Sequence, residues 1–184
     1  MRKIERLREI PVFSNEYGTL YNDEVRGPSG SLGNYLRWKW NGTGVVVVPV
    51  FDGKLALARM YRYSPGILSI EFPGGGIEEG ESVEAAAERE LLEEFGLQAD
   101  KIILLGKVYP DTGILSGAVN IALAFIKDPQ IHKIADTQEV MEAIGEDIIW
   151  ETPSEFKNDV AAGNITAGTT LSSAMLYFSW LEMQ

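Results

Sequence analysis

Cysteine is absent from the 184 residues. No disulfide framework, thiolate zinc site, iron–sulfur cluster or cysteine nucleophile can therefore be built, a usage that suits a reducing compartment. Long apolar runs are missing too. The longest, Val45 to Phe51, falls far short of the roughly 18 residues that a membrane helix needs, so no span and no membrane partner is expected. The start, Met1-Arg2-Lys3-Ile4-Glu5-Arg6, continues in alternating charge without an apolar h-region and does not read as a signal peptide, so the expected location is cytoplasmic. Positive charge is scarce: 16 Lys and Arg stand against 27 Asp and Glu, a formal charge of -11. Such a chain repels a polyanion at long range, which argues against a general nucleic-acid binder. Small phosphorylated ligands remain compatible when divalent cations neutralise both ligand and site. The one histidine, His132, follows Asp128-Pro129 in an expected loop and reads as a surface residue.

What is present is ordinary for a globular domain, with 45% hydrophobic and 23% charged residues. Residues 1 to 25 read as extended and partly paired. Arg26 to Asn34 reads as loop by composition, and Tyr35, Arg37 and Lys39 alternate with Leu36, Trp38 and Trp40 at strand period. Gly44 to Phe51 is a β-branched strand, Asp52-Gly53 a hairpin turn, and Lys54 to Tyr63 its antiparallel partner. Another strand, Ile67 to Phe72, precedes Gly74-Gly75-Gly76, a run expected to break any regular element. Ser82 is a good N-cap for a helix of 13 residues closed by Gly96. Strands are expected over 101–109 and 117–127, with Pro110-Asp111-Thr112-Gly113 between them. Ile148-Ile149-Trp150, a short helix from Pro153 and an amphipathic helix from Thr169 to Leu181 complete the chain. The sum is an α+β domain with strands before and after one central helix.

Charge gathers on that helix and the loop before it. Glu78, Glu79, Glu81, Glu84, Glu88, Glu90, Glu93 and Glu94 have only Arg89 among them. Glu90, Glu93 and Glu94, at i, i+3 and i+4, share one helical face. A solvated acidic face is the plain reading of such a helix. The adjoining glycine run and the lack of interleaved lysine point instead to a carboxylate face for a hard cation such as Mg²⁺ beside a phosphate-binding loop.

The spacing Gly75, five residues, Glu81, seven residues, Arg89-Glu90-Leu91, one residue, Glu93-Glu94, one residue, Gly96-Leu97 resembles the Nudix box of the Nudix hydrolases at every defined position. Met60-Tyr61-Arg62-Tyr63 and Glu71-Phe72-Pro73-Gly74-Gly75 are similar to stretches of the ADP-ribose and nucleoside-diphosphate-sugar pyrophosphatase branch. The resemblance implies a single domain over 1–184, an α/β/α sandwich on a mixed β-sheet, with residues 1–43 as a strand-rich extension. It also implies Mg²⁺, or Mn²⁺, held by Glu90, Glu93, Glu94 and the Gly74 carbonyl, with Glu93 and Glu94 catalytic. Gly75, Glu81, Arg89 and Gly96 become structural parts of the motif.

By the same resemblance a general base is a Glu on a downstream loop, for which Glu139, Glu142 and Glu146 are candidates and Glu142 is favoured. Arg62 and Glu71 are candidate substrate contacts, or equally a structural ion pair. The substrate implied is a nucleoside diphosphate sugar of the ADP-ribose, ADP-glucose or GDP-mannose type. It would be cleaved to nucleoside monophosphate and sugar phosphate by a homodimer, for whose interface Leu36, Trp38 and Trp40 compete with a core role.

The chain departs from the ADP-ribose pattern at Asp111-Thr112-Gly113, where that branch carries Ser-Pro-Gly, and Pro110 stands two positions early. No Tyr marks it as a dinucleoside-polyphosphate hydrolase there, so sugar and base stay open. Hydrolysis of nucleoside triphosphates or dinucleoside polyphosphates, and nucleotide binding without turnover, are the alternatives. A cysteine-dependent isomerase on this scaffold is excluded by the absence of Cys.

Overall fold

The computed structural model describes residues 3–130 and 148–184. They divide into two compact units, one formed by the residues up to Thr43 together with Tyr109–Ala118, the other by Gly44–Val108 with Val119 to the C-terminus.

The first unit is an antiparallel sheet of β1 (Glu5–Arg8), β2 (Pro11–Ser14), β3 (Gly18–Arg26) and β4 (Leu32–Trp40). The strand β4 pairs with β3 along its whole length, from Gly18↔Trp40 to Arg26↔Leu32, while β1 and β2 share the opposite edge of β3. Leu32 to Asn34, expected as loop, are therefore strand: their partners Arg26, Val25 and Glu24 supply a ladder that composition does not reveal. Along β4's outer side, Trp38 N–H donates to the Ile114 carbonyl at 2.8 Å and Ser116 N–H to the Trp38 carbonyl at 2.9 Å. The unit holds a buried ion pair: Arg37 Nε donates to Asp23 at 2.6 Å and its guanidinium lies 4.0 Å from the Tyr21 ring centre. Burial pushes the Asp23 carboxyl up, but Arg37 and the Ile10 N–H together hold it below its ordinary value.

The second unit carries a mixed sheet of β5 (Gly44–Phe51), β6 (Lys54–Arg62), β7 (Ile67–Glu71), β8 (Gly74–Gly76), β9 (Gln98–Val108), β10 (Val119–Asp128) and β11 (Ile148–Glu151). Of these, β10 runs parallel to β5 and antiparallel to β9. Asp52 and Gly53, with φ of 48° and 73°, make the tight turn between β5 and β6 that their identities predict.

Side-chain alternation sorts the strands into two faces. Val45, Val47, Ala56, Ala58, Ala122 and Ala124 point towards helix α1 (Val83–Phe95), where Ala86, Ala87, Leu91 and Phe95 meet them. Val48, Val50, Leu55, Leu57, Ile121 and Leu123 point the other way. There they pack with Phe156 of α2 (Pro153–Ala162) and with Ala174 and Tyr177 of α3 (Gly168–Leu181). The unit is thus a helix–sheet–helix sandwich, with the alanine-rich face under α1 and the larger side chains opposite.

Both ends of α1 follow from sequence. The Ser82 hydroxyl accepts from Ala85 N–H at 3.1 Å. At the other end Gly96 adopts φ 61°, its N–H bonds Leu92 at 2.9 Å, and Leu97 N–H bonds the Leu91 carbonyl at 3.4 Å. The glycine run does not break the structure as expected. Gly74, Gly75 and Gly76 pair antiparallel with Val46, Val45 and Gly44. A Cβ on Gly74 would overlap the Val45 carbonyl and come within 2.8 Å of Val46 Cα, and one on Gly44 would lie 2.9 Å from the Gly75 carbonyl. Missing side chains are what let these backbones meet.

Candidate functional site

Helix α1 carries its acids past β8. Glu90 stands at the margin of the buried stripe formed by Ala86, Ala87 and Leu91, and only 8% of it is exposed. Its carboxylate lies against Gly75, where any Cβ would collide with it. Four residues further on, Glu94 accepts a hydrogen bond from Gly74 N–H at 2.8 Å. Helix and glycine strand are joined here by two carboxylates.

Arg89 is the centre of the charge arrangement. Its Nε and Nη2 each donate to Glu81 at 3.0 Å, its Nη2 also reaches the Gly76 carbonyl at 2.8 Å, and its Nη1 meets Glu90 at 2.8 Å and Glu93 at 3.2 Å. Glu81 is held in turn by Glu78 N–H at 2.9 Å. Bonding to Arg89 first, and to that N–H second, keeps the Glu81 carboxyl below its ordinary value. Glu81 first, and Glu90 after it, raise Arg89 above its own against the effect of burial. Burial pushes Glu90 up, against the pull of Arg89.

Of the residues singled out from sequence, Gly74, Gly75, Glu81, Arg89, Glu90, Glu93 and Glu94 therefore come together around β8 and α1, and Gly96 closes the helix that carries them. Glu90 and Glu93 converge on one guanidinium nitrogen, whereas Glu94 turns to Gly74. Among the described residues, no three acids or histidines converge closely enough to enclose a metal as a set. The donors are nevertheless hard carboxylate oxygens, two of them against a strand without side chains. That chemistry and that cradle suit Mg²⁺ or Mn²⁺.

Arg62 and Glu71 form a separate two-point pair at the ends of β6 and β7, with Nε to Oε1 at 3.1 Å and Nη2 to Oε2 at 2.9 Å. Arg62 Nη2 also touches Met60 Sδ at 3.3 Å. Glu139, Glu142, Glu146 and His132 lie outside the described residues. Two contacts escape a sequence reading: the Gly76 carbonyl as an Arg89 acceptor and the Gly74 N–H as a Glu94 donor. The glycine run was their only signal, and it reads as a breaker.

A model of the family described as NUDIX domain matches residues 40–168, more than half of the chain. The chain is similar to the ADP-ribose pyrophosphatase of Bacillus subtilis (strain 168), 30% identical over 113 residues that make up 61% of each protein. It is also similar to the ADP compounds hydrolase NudE of Escherichia coli (strain K12), 37% identical over 84 residues, 46% of this chain and 45% of that one. The chain spans less than two thirds of the length of these curated relatives. A crystal structure of an ADP compounds hydrolase superposes with a TM-score of 0.82 at 24% identity, covering 100% of this chain and 97% of that chain, a likeness of fold.

The two glycines facing the acids are expected to respond differently to a methyl group. Gly74→Ala meets backbone that cannot move without breaking the β5–β8 ladder and should cost about 2 kcal/mol or more in urea unfolding. Gly75→Ala meets a side-chain terminus, so it should retain more stability while displacing Glu90. Equal losses in the two variants would contradict this assignment of contacts.

Proposed function

The chain belongs to the NUDIX domain family, and from that premise we propose that it hydrolyses the diphosphate linkage of nucleoside diphosphate sugars. ADP-ribose, ADP-glucose and GDP-mannose represent the class, and nucleoside monophosphate plus sugar phosphate are the products. The observation that carries this reading is the clustering of Glu90, Glu93 and Glu94 around Arg89 and the glycine strand. The names of the relatives, ADP-ribose pyrophosphatase and ADP compounds hydrolase, support the substrate class.

In this reading Glu90, Glu93, Glu94 and the Gly74 carbonyl hold Mg²⁺, or Mn²⁺ in its place. The cation, when bound, neutralises diphosphate charge and makes a coordinated water more acidic. Glu81 and Arg89 set the height of α1 over β8, and so fix where the three carboxylates stand. Arg62, oriented by its two bonds to Glu71, is a directed donor for a phosphate oxygen or a base. Glu142 takes the proton from the attacking water, with Glu139 and Glu146 as the alternatives for that role.

The first unit supports assembly as a homodimer. All residues of β1 and β2 are exposed, and Leu7, Phe13, Tyr17, Leu32, Leu36 and Trp40 present apolar surface to solvent. Apolar surface at this density on a small sheet is characteristic of an interface. Trp38 is more enclosed, and its indole N–H is buried without a partner. No helix among the described residues is long and apolar enough to cross a membrane, and a cytoplasmic location is part of the proposal.

With Mg²⁺ and a panel of diphosphate sugars, dinucleoside polyphosphates and triphosphates, mass analysis is expected to find nucleoside monophosphate and sugar phosphate. Glu94→Gln should lower kcat by several orders of magnitude with the fold intact. Turnover of triphosphates alone, or near-normal activity of Glu94→Gln, would refute the reading. Sedimentation equilibrium should give twice the chain mass for the parent protein and the single mass for a Leu36→Glu, Trp40→Glu double variant. A monomeric parent would remove the dimer.

A further inference from the structure

Strand β10 places a buried amide beside the start of β5. Ala122 and Ala124 belong to the core under α1, while Ile121 and Leu123 pack on the opposite side of the sheet. Alternation therefore puts Asn120, two residues before Ala122, on the α1 face as well, and only 6% of it is exposed. Burying an amide is unfavourable unless its hydrogen bonds are remade inside the protein. An asparagine where its strand neighbours on that face are alanine thus needs an internal partner.

The partner is a backbone carbonyl. Asn120 Nδ2 donates to Gly44 O at 2.9 Å, reaching back one residue from Val45, its opposite number in the parallel ladder. Gly44 pairs in turn with Gly76 of β8, and a Cβ on Gly44 would lie 2.9 Å from the Gly75 carbonyl. Strand β8 is three glycines long. Without side chains to pack, and with the most backbone freedom to lose, it is held by the strand it pairs with. Asn120 fixes that strand at its first residue. Directly above, the Gly76 carbonyl accepts from Arg89 Nη2 at 2.8 Å and Gly75 lies against the Glu90 carboxylate.

We propose that Asn120 is a positioning residue for the α1 site. By holding the Gly44 carbonyl it sets where β8 lies, and so where the Gly76 carbonyl receives Arg89 and where Gly75 seats Glu90. The inference rests on the reading of Glu90, Glu93 and Glu94 as the seat of a divalent cation, which is the function that such positioning serves. Asn120 acts through the backbone of β5 and β8 and needs no contact with cation or substrate.

The test is Asn120→Leu, which nearly keeps the side chain's volume and removes its donor, beside Ile121→Val, a modest core loss on the opposite face of the same strand. Nitrogen-15 NMR of the Arg89 guanidinium, taken without added metal, is expected to show a displaced Nε resonance in Asn120→Leu and the parent's resonance in Ile121→Val. Mn²⁺ affinity, read by electron paramagnetic resonance, should fall about tenfold or more in Asn120→Leu and hold in Ile121→Val. An unchanged Arg89 resonance or unchanged Mn²⁺ affinity in folded Asn120→Leu would overturn the inference. Equal changes in the two variants would overturn it too, since they would report stability and not position. If Asn120→Leu does not fold, the parent decides. By the reciprocity of linked equilibria, Mg²⁺ should slow hydrogen exchange of the Asn120 side-chain amide more than that of the Leu123 backbone N–H, and equal slowing contradicts the proposal. A parent that binds no Mn²⁺ removes the cation reading itself, and the Arg89 resonance alone then decides whether Asn120 positions the clamp.

Discussion

Carboxylates crowded onto one turn of helix repel, and Arg89 is the cation that makes the crowding tolerable. Two like charges about 4 Å apart near a protein surface repel by about 4 kcal/mol, comparable with a large part of a domain's net stability. Arg89 meets this from one position. Its three nitrogens reach Glu81, Glu90, Glu93 and the Gly76 carbonyl. It therefore joins the loop before α1, the helix itself and strand β8. The two-point bond to Glu81 uses the planar fork that distinguishes arginine from lysine.

That clamp works only because the sheet beneath it is thin. Strand β8 has no side chains, so Glu90 can lie on Gly75 and Glu94 can accept from Gly74. Under the rest of α1, Ala122 and Ala124 of β10 belong to one core cluster with Ala86 and Ala87, small residues that let the helix sit low on the sheet. The opposite face, filled by Leu55, Leu57, Ile121 and Leu123 with α2 and α3, supplies the bulk of large apolar contact. One face is built for closeness and the other for burial.

How much of this the sequence displays depends on whether the cause is local. Ser82 and Gly96 bound α1 through bonds to residues within one turn, so cap chemistry locates both ends. The β-branched run of β5 and the Asp52-Gly53 turn are local in the same way. Gly74–Gly76 is the opposite case: its pairing with Gly44–Val46 depends on a distant backbone, and glycine composition alone argues for a loop. Leu32 to Asn34 fail for the same reason, being strand because β3 is beside them.

At the site, helical spacing puts Glu90, Glu93 and Glu94 on one face, but their partners Arg89 and Gly74 N–H emerge only with side chains in place. Glu151 is less visible still. As the residue before an N-cap it looks like surface, and only the packing of α2 against β11 and β6 shows it to be buried.

In the proposed function, the Glu81–Arg89 pair organises the carboxylates for a divalent cation without being a ligand itself. Its most direct test is Mn²⁺ binding followed by electron paramagnetic resonance in the parent protein and in Glu81→Gln, with circular dichroism to check the fold. Loss of such a supporting partner is predicted to weaken Mn²⁺ binding by about 10- to 100-fold with the fold retained. Undiminished affinity in a folded Glu81→Gln protein would contradict the account.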